Sequence, residues 1–237
     1  MRLSIVIPVH NEALALEGFL QKIARVKDQI LVETDLDGAE VILVDDGSTD
    51  QSLRVMRTFP SFTVVTHERQ RGYGQALKTG FTHATGELIA FLDADATYPP
   101  ESLLELYRRY SQGDVEIIVG SRFIDPHQSK FPPGRQFGNR VLSRFVSIAT
   151  GQAVTDAASG MRLFRADLAK RFLNLPDGLD FSIAMTVRAL HQGLRFSEVG
   201  IPYGDRIGAS KLRFWRDGLR FTWTVLRLMY TETPTRK

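Results

Sequence analysis

Short apolar runs recur along this chain, and a segment with helical amphipathic spacing follows most of them. The runs occupy residues 3–7, 41–44, 62–65, 88–92 and 115–119, and residues 197–203 are a candidate last strand. Each has the length and composition of a β-strand, and strands that alternate with helices are typical of βαβ units. We therefore predict an α/β fold with a mostly parallel central sheet, helices on both faces and right-handed crossovers.

The apolar run at residues 88–92 ends abruptly at Asp93, Ala94 and Asp95. An uninterrupted run of this kind predicts a strand buried on both faces, so the two carboxylates should emerge at its carboxyl end. Open α/β sheets bind ligands at that edge. Because two adjacent carboxylates repel each other, a hard cation such as Mg²⁺ or Mn²⁺ explains their spacing, and a solvated acidic turn is the alternative.

Two further strand ends carry candidate chemistry. Asp45 and Asp46 follow residues 41–44, where helix capping and ligand binding explain the acidic pair equally well. Gly72 and Gly74 precede a helix, and glycines at such a junction allow backbone N–H groups to approach a phosphate. The third glycine of a dinucleotide-binding fingerprint is missing.

The second half of the chain departs from the alternating pattern. Residues 123–137 predict a long loop, and a helix follows from about residue 138 to residue 150. We divide the chain into a main domain, residues 1–211, and a tail, residues 212–237. The tail predicts an amphipathic helix whose apolar stripe contains Leu212, Trp215, Leu219, Trp223, Leu226 and Tyr230. Such a stripe suits a membrane interface, the protein's own sheet or a second subunit.

Composition and charge restrict the class of protein. The chain has 237 residues, of which 43% are hydrophobic, and it contains no uninterrupted apolar stretch of the ~18 residues that a membrane span needs. We expect a cytoplasmic protein without a signal peptide. The absence of cysteine excludes disulfides, thiolate metal sites and a cysteine nucleophile. The positive charge is concentrated after residue 120, which indicates a partner that carries phosphate or presents an anionic surface.

Seven segments, taken together and in order, resemble the inverting family 2 glycosyltransferases, above all dolichol-phosphate mannose synthases and bacterial polyprenyl-phosphate glycosyltransferases. The segments are residues 8–12, 44–48, 72–76, 93–95, 120–122, 156–160 and 206–211. The resemblance implies a GT-A fold, a nucleotide-diphosphate sugar donor of the mannose or glucose type, and Mg²⁺ or Mn²⁺. It also implies a polyprenyl or dolichyl phosphate acceptor. Because the sequence predicts no membrane span, we expect the chain to meet this lipid at the cytoplasmic face of a membrane through the tail helix. We expect no nucleic-acid partner and leave a homo-oligomer open.

The resemblance assigns donor positions residue by residue. Positions that match nucleotide-sugar-binding residues are Pro8, His10, Glu12, Val44, Asp46, Asp93, Ala94, Asp95, Arg206 and Lys211. Asp93 and Asp95 match the metal site, with Asp95 as the main ligand. Three features depart from the family pattern. His10 replaces a tyrosine, Thr97 stands where a metal-binding glutamine is common, and the spacing from residue 206 to residue 211 is one residue short.

The acceptor side is matched by Arg122, Arg135 and Asn139, and the positions implied to be catalytic are Asp95, Arg122 and Arg206. A phosphate monoester is largely ionised near neutral pH, because its second pKa is about 6. Such an acceptor needs no general base.

Three alternatives remain beside this reading. A hydroxyl acceptor would need a base, for which Asp180 or Asp156 is the candidate. A sugar-phosphate nucleotidyltransferase would share the α/β layout but usually carries a glycine-rich signature with a lysine after the first strand, which is missing here. A catalytically silent subunit is the third, although the intact set of Asp93, Asp95, Arg122 and Arg206 argues against it.

Overall fold

The predicted α/β class is confirmed. A computed structural model describes residues 1–125, 133–208 and 214–231, apart from the side chains of residues 133, 135 and 214–216. Its strands are β1 (Arg2–Val9), β2 (Gly38–Asp45), β3 (Thr63–Thr66), β4 (Leu88–Phe91), β5 (Ile117–Ser121), β6 (Arg162–Arg165) and β7 (Phe196–Gly200). Its helices are α1 (Ala13–Glu33), α2 (Ser52–Met56), α3 (Tyr73–His83), α4 (Ser102–Ser111), α5 (Pro133–Thr150), α6 (Ala169–Phe172), α7 (Phe181–His191) and α8 (Phe214–Thr231).

One seven-stranded sheet, in the order β3-β2-β1-β4-β6-β5-β7, forms the centre of the molecule. All neighbouring strands are parallel except that β6 runs antiparallel to both β4 and β5. Val9 pairs with Asp45, and Val6 pairs with Phe91. The carboxyl ends of β1, β2 and β4 therefore meet at one edge of the sheet, as the sequence predicted.

Alternate side chains of the strands supply two separate cores. On one face, Ile5 and Ile7 pack with Leu20 of α1 and Leu106 of α4. Val6 and the other half of the alternation face the opposite layer, which contains α3, α7 and α8. Burial of apolar surface on both faces is what stabilises a sheet of this kind.

Two sequence predictions are corrected by the fold. Helix α5 begins at Pro133, whereas the loop was predicted to continue to Phe137. Proline suits the first turn of a helix because its missing N–H group would have no partner there. Strand β6 was not predicted, since Arg162 interrupts its apolar pattern, yet this side chain is fully buried.

The tail helix is present, but its predicted stripe faces outward. Phe221, Thr224, Val225 and Leu228 are buried, and α8 packs on α7 and α5. Of the stripe, Trp223 is 67% exposed and Tyr230 is 91% exposed. Leu212 and the side chain of Trp215 lie outside the described residues. Within the described ranges, no helix has both the length and the hydropathy that crossing a membrane requires.

Candidate active site

Polar side chains gather where β1, β2 and β4 end. Glu12 follows β1, Asp46 follows β2, and Asp93 and Asp95 follow β4. The segment after β7 places Arg206 at the same edge. The next residue, Ile207, holds the segment there by donating its amide to Asp95 O at 3.5 Å. The sheet thus collects four carboxylates and one guanidinium at the ligand-binding edge of an α/β fold.

Arg206 joins the ends of two strands. Its Nη1 donates to Asp95 Oδ2 at 2.5 Å, and its Nη2 donates to Glu12 Oε1 at 2.8 Å. Its Nε is buried and has no hydrogen-bond partner in the part of the chain that the structure describes. The two carboxylates fix the guanidinium in place, and its Nε can donate one further hydrogen bond.

Thr97 fixes the other oxygen of Asp95. The Thr97 amide and hydroxyl both donate to Asp95 Oδ1, at 3.1 Å and 2.5 Å. Between them, Ala96 adopts a φ of +62°, a left-handed conformation that is costly for a residue with a side chain. Thr97, which stands at the position where a metal-binding glutamine is common, therefore orients the Asp95 carboxylate. The other oxygen of that carboxylate, Oδ2, faces Arg206.

Asp93 is half-buried beside Asp95. Burial, followed by repulsion from Asp95, raises the pKa of Asp93 to about 7. The Tyr73 hydroxyl donates to Asp93 Oδ1 at 2.8 Å and partly offsets this shift. On the other side, a Cβ at Gly160 would lie 2.3 Å from Asp93 Oδ2, so only glycine leaves room for the carboxylate.

The donor set around Asp93 and Asp95 fits a hard divalent cation. Among the described residues, no group of three histidine, cysteine, aspartate or glutamate side chains is arranged to hold a metal. Mg²⁺ commonly binds through one or two carboxylates together with substrate phosphates, so a pair is sufficient. Burial, followed by repulsion from Asp95, raises the pKa of Asp93, and a cation bound there would oppose both effects.

Asp46 has a structural task in addition to any ligand contact. Its Oδ1 accepts from Arg71 N and from His67 Nδ1, each at 2.8 Å, and its Oδ2 accepts from Gly72 N at 2.8 Å. His10 Nδ1 donates to the backbone oxygen of Asp46 at 2.8 Å. The carboxylate therefore anchors the segment that enters α3.

The glycine pair does not offer free amides to a phosphate, which corrects the sequence prediction. The Gly72 amide donates a hydrogen bond to Asp46 Oδ2, and the Gly74 amide donates one to Asp177 O at 2.7 Å. Their role is close packing of backbone instead. The remaining donor positions, Pro8, Val44 and Ala94, are buried, and Pro8 pairs with Val44 across β1 and β2.

The structure places Arg122 in a buried ion pair, not on an open acceptor surface. Its Nε and Nη2 donate to the two oxygens of Asp156 at 2.6 Å and 2.7 Å, and both side chains are buried. Burial alone would lower its pKa, but Asp156 holds the pKa of Arg122 well above its usual value. Asn139 is half-buried on α5. The side chain of Arg135, and all of Lys211, lie outside the described residues.

Neither candidate base is a free carboxylate. Asp156 is fully buried against Arg122. Asp180 is 2% exposed, and its oxygens meet Thr224 Oγ1 at 2.8 Å and Arg220 Nη2 at 2.8 Å.

Sequence reasoning missed the tyrosines around this site. Tyr73 donates to Asp93, and the Tyr98 hydroxyl accepts from Gly160 N at 2.8 Å. Tyr98 and Tyr203 pack edge to face, and the Arg122 guanidinium lies 5.3 Å from the Tyr203 ring. Tyr73 stands inside the glycine pair, which was the one available signal in the sequence.

Comparison with known proteins decides the family. The model of glycosyl transferase family 2 matches residues 4–173. This chain belongs to that family. The predicted resemblance is thereby confirmed, and the carboxylates after β4 of this family 2 glycosyltransferase lie within the matched region.

Two curated relatives cover almost all of the chain. The low-salt glycan biosynthesis hexosyltransferase Agl6 of Haloferax volcanii is 30% identical over 98% of this chain and 54% of its own length. The undecaprenyl-phosphate 4-deoxy-4-formamido-L-arabinose transferase of Edwardsiella ictaluri is 32% identical over 98% of this chain and 69% of its own length. The chain thus spans about half of one relative and about two thirds of the other.

Solved structures support the GT-A fold. Glucosyl-3-phosphoglycerate synthase from Mycobacterium tuberculosis, in complex with Mn²⁺, UDP and phosphoglyceric acid, has a TM-score of 0.75 at 17% identity. The match covers 98% of this chain and 79% of that one. A crystal structure of the same enzyme contains Mg²⁺ and UDP. At this identity the comparison shows the fold alone.

Proposed function

We propose that this family 2 glycosyltransferase moves a mannose- or glucose-type sugar from a nucleotide-diphosphate sugar to a polyprenyl phosphate, with inversion. The observation that carries the proposal is the bridge from Arg206 to Asp95 and Glu12 at the edge of the sheet. It unites a cation, a fixed carboxylate and the ends of two strands. The names of the curated relatives, one of them an undecaprenyl-phosphate transferase, support the acceptor class.

The arrangement suits departure of a nucleoside diphosphate. Negative charge accumulates on the diphosphate as the glycosidic bond breaks, so a preorganised cation stabilises the transition state more than the ground state. Arg206 provides that charge, and Glu12 and Asp95 hold it in place. Asp93 and Asp95 would hold Mg²⁺ or Mn²⁺, which supplies further charge stabilisation to the leaving diphosphate.

A phosphate acceptor agrees with the state of the two candidate bases. A hydroxyl acceptor requires a carboxylate within reach of its proton. Asp156 and Asp180 are both buried and engaged by arginines. An ionised phosphate needs no such group. The geometry therefore favours lipid phosphate over the hydroxyl acceptor.

We further propose that α8, together with α5, meets the membrane surface. The exposed apolar side chains of α8 form what we call the outer stripe: Leu219, Trp223, Leu226 and Tyr230. Helix α5, which packs against α8, exposes Phe137, Val141 and Ile148. Helix α5 contains no acidic residue, and α8 contains only Asp217, whereas Arg140, Arg144 and Arg227 are exposed. Apolar stripes flanked by arginines suit an anionic bilayer on its cytoplasmic face.

The test is a screen of radiolabelled sugar donors, including GDP-mannose and UDP-glucose, with Mn²⁺ and a short polyprenyl phosphate. We expect one donor to transfer label into the organic phase, EDTA to abolish the transfer and added Mn²⁺ to restore it. Asp95→Ala should abolish the label. Asp167→Asn is the matched control, because Asp167 is exposed and pairs only with Arg165 among its described salt bridges.

Two results would contradict the proposal. Donor-dependent release of nucleotide with a hydroxyl acceptor, and without lipid label, would indicate the alternative acceptor class. Transfer that survives in Asp95→Ala would remove the proposed role of the carboxylates.

A further inference from the structure

Residues 176–182, here called the bridging segment, lie between α8 and the first turn of α3. On the α8 side, Thr224 Oγ1 donates to Asp180 Oδ2 at 2.8 Å, and Arg220 Nη2 lies 2.8 Å from Asp180 Oδ1. The Arg220 guanidinium also fills the space beside Gly178, where a Cβ would come within 2.4 Å of Nη2. Helix α8 is thus fitted to this segment by charge and by shape.

The α3 side of the bridging segment is packed equally closely. Asp177 O accepts from Gly74 N at 2.7 Å and from Gln75 N at 3.2 Å, and the Asp177 carboxylate pairs with Lys78. A Cβ at Gly72 would lie 2.4 Å from Asp177 O, and Gly72 has a φ of +109°. Both features require glycine. The glycine pair therefore allows the bridging segment to touch the start of α3.

The first turn of α3 reaches the carboxylates of the candidate active site. Tyr73 donates to Asp93 Oδ1 at 2.8 Å, and the Ser182 side chain is a second hydrogen-bond partner of the same hydroxyl. Gly72 N donates to Asp46 Oδ2 at 2.8 Å. A short series of contacts therefore runs from α8 through the bridging segment to Asp93 and Asp46.

We propose that Asp180 is a positioning residue that ties α8 to the donor site. Both described partners of its carboxylate, Thr224 and Arg220, come from α8. A buried carboxylate that loses its partners is costly, so the bridging segment must rearrange when α8 is displaced. Rearrangement would release the first turn of α3 from Asp93 and Asp46. The proposal rests on the proposed function, because it assigns these two carboxylates to the donor.

The direct test compares Thr224→Val with Thr222→Val in the full chain. Thr222 is exposed on the same helix, and its hydroxyl donates to Gly218 O, so the control makes the same chemical change away from Asp180. We expect Thr224→Val to raise the KM for the donor about tenfold, as for one lost hydrogen bond to a carboxylate, with little change in kcat at saturating donor. Thr224→Ser should restore the KM.

A second measurement needs no substrate. Thr224→Val should accelerate amide hydrogen exchange across residues 72–78 in the full chain, whereas Thr222→Val should leave it unchanged. Unchanged exchange and unchanged donor KM in Thr224→Val would overturn the proposal. So would Asp180→Asn with a large loss of kcat, an unchanged donor KM and a lost limb in the pH–rate profile, which is the behaviour of a general base. Failure of every donor with the wild type would instead refute the proposed function.

Discussion

The candidate active site requires glycine at position 160, because a larger residue would collide with Asp93. Gly160 follows a tight turn, and its amide donates to the Tyr98 hydroxyl at 2.8 Å. Its α-carbon faces Asp93, where a Cβ would come within 2.3 Å of one carboxylate oxygen. Tyr98 holds Gly160 and Tyr73 holds Asp93, so movement of either residue would break a hydrogen bond.

We predict that Gly160→Ala displaces the Asp93 carboxylate and lowers kcat/KM about a hundredfold, the size expected for a misplacement near 1 Å. Steady-state transfer assays measure the loss. Gly218→Ala is the matched control, because a Cβ there meets no atom within 4 Å. Activity equal to the wild type in Gly160→Ala would show that Asp93 is not needed in its present position.

The positions of site residues were predictable only where a strand ends directly before them. The position of Asp95 follows from the end of an apolar run, and the structure confirms that position. The pairing of Arg206 with Glu12 spans 194 residues, and nothing local in the sequence indicates it. Arg122 shows the opposite difficulty. An arginine that binds phosphate and an arginine that pairs with Asp156 look alike in sequence, because both lie beside a strand end.

Strands and helices were predictable where their pattern of apolar residues is uninterrupted by charged ones. Strand β4 (Leu88–Phe91) matches the prediction for residues 88–92 because its apolar residues are continuous. Strand β6 was missed because a buried arginine, Arg162, stands in it. Its guanidinium donates to Ser159 O and Ala157 O, and burial lowers the pKa of Arg162 to about 10. Only tertiary backbone partners make such a strand acceptable.

Helix α8 exposes its outer stripe while a different face docks on the protein. We predict that Leu219→Ser combined with Trp223→Ser weakens sedimentation with phosphatidylglycerol vesicles at least tenfold, because two large apolar side chains lose their favourable transfer. Leu14→Ser combined with Val32→Ser is the matched control, since both side chains are 85% exposed on α1. Unchanged vesicle binding, with loss of a dimer in light scattering, would assign the stripe to self-association.

At the scale of the whole molecule, the carboxylates that the proposed function needs at the carboxyl edge of the sheet lower the stability of the fold. The two cores stabilise the fold, but Asp93 is half-buried and is repelled by the neighbouring carboxylate of Asp95. A carboxylate whose native pKa is about 7 binds its proton more tightly in the folded than in the unfolded chain. Its contribution to stability is therefore present at low pH and is lost as the pH rises toward 7.

This cost predicts that Asp93→Asn stabilises the metal-free protein. In EDTA, the difference in unfolding free energy between the variant and the wild type should grow by roughly 1 kcal/mol from pH 6 to pH 8. The amide oxygen can still accept from Tyr73, so packing is kept. Mn²⁺ should stabilise the wild type and not the variant. Urea unfolding at both pH values measures the effect, with Asp167→Asn as control. If the unfolding free energies of variant and wild type changed in parallel with pH, the pKa of Asp93 would not be raised in the folded protein.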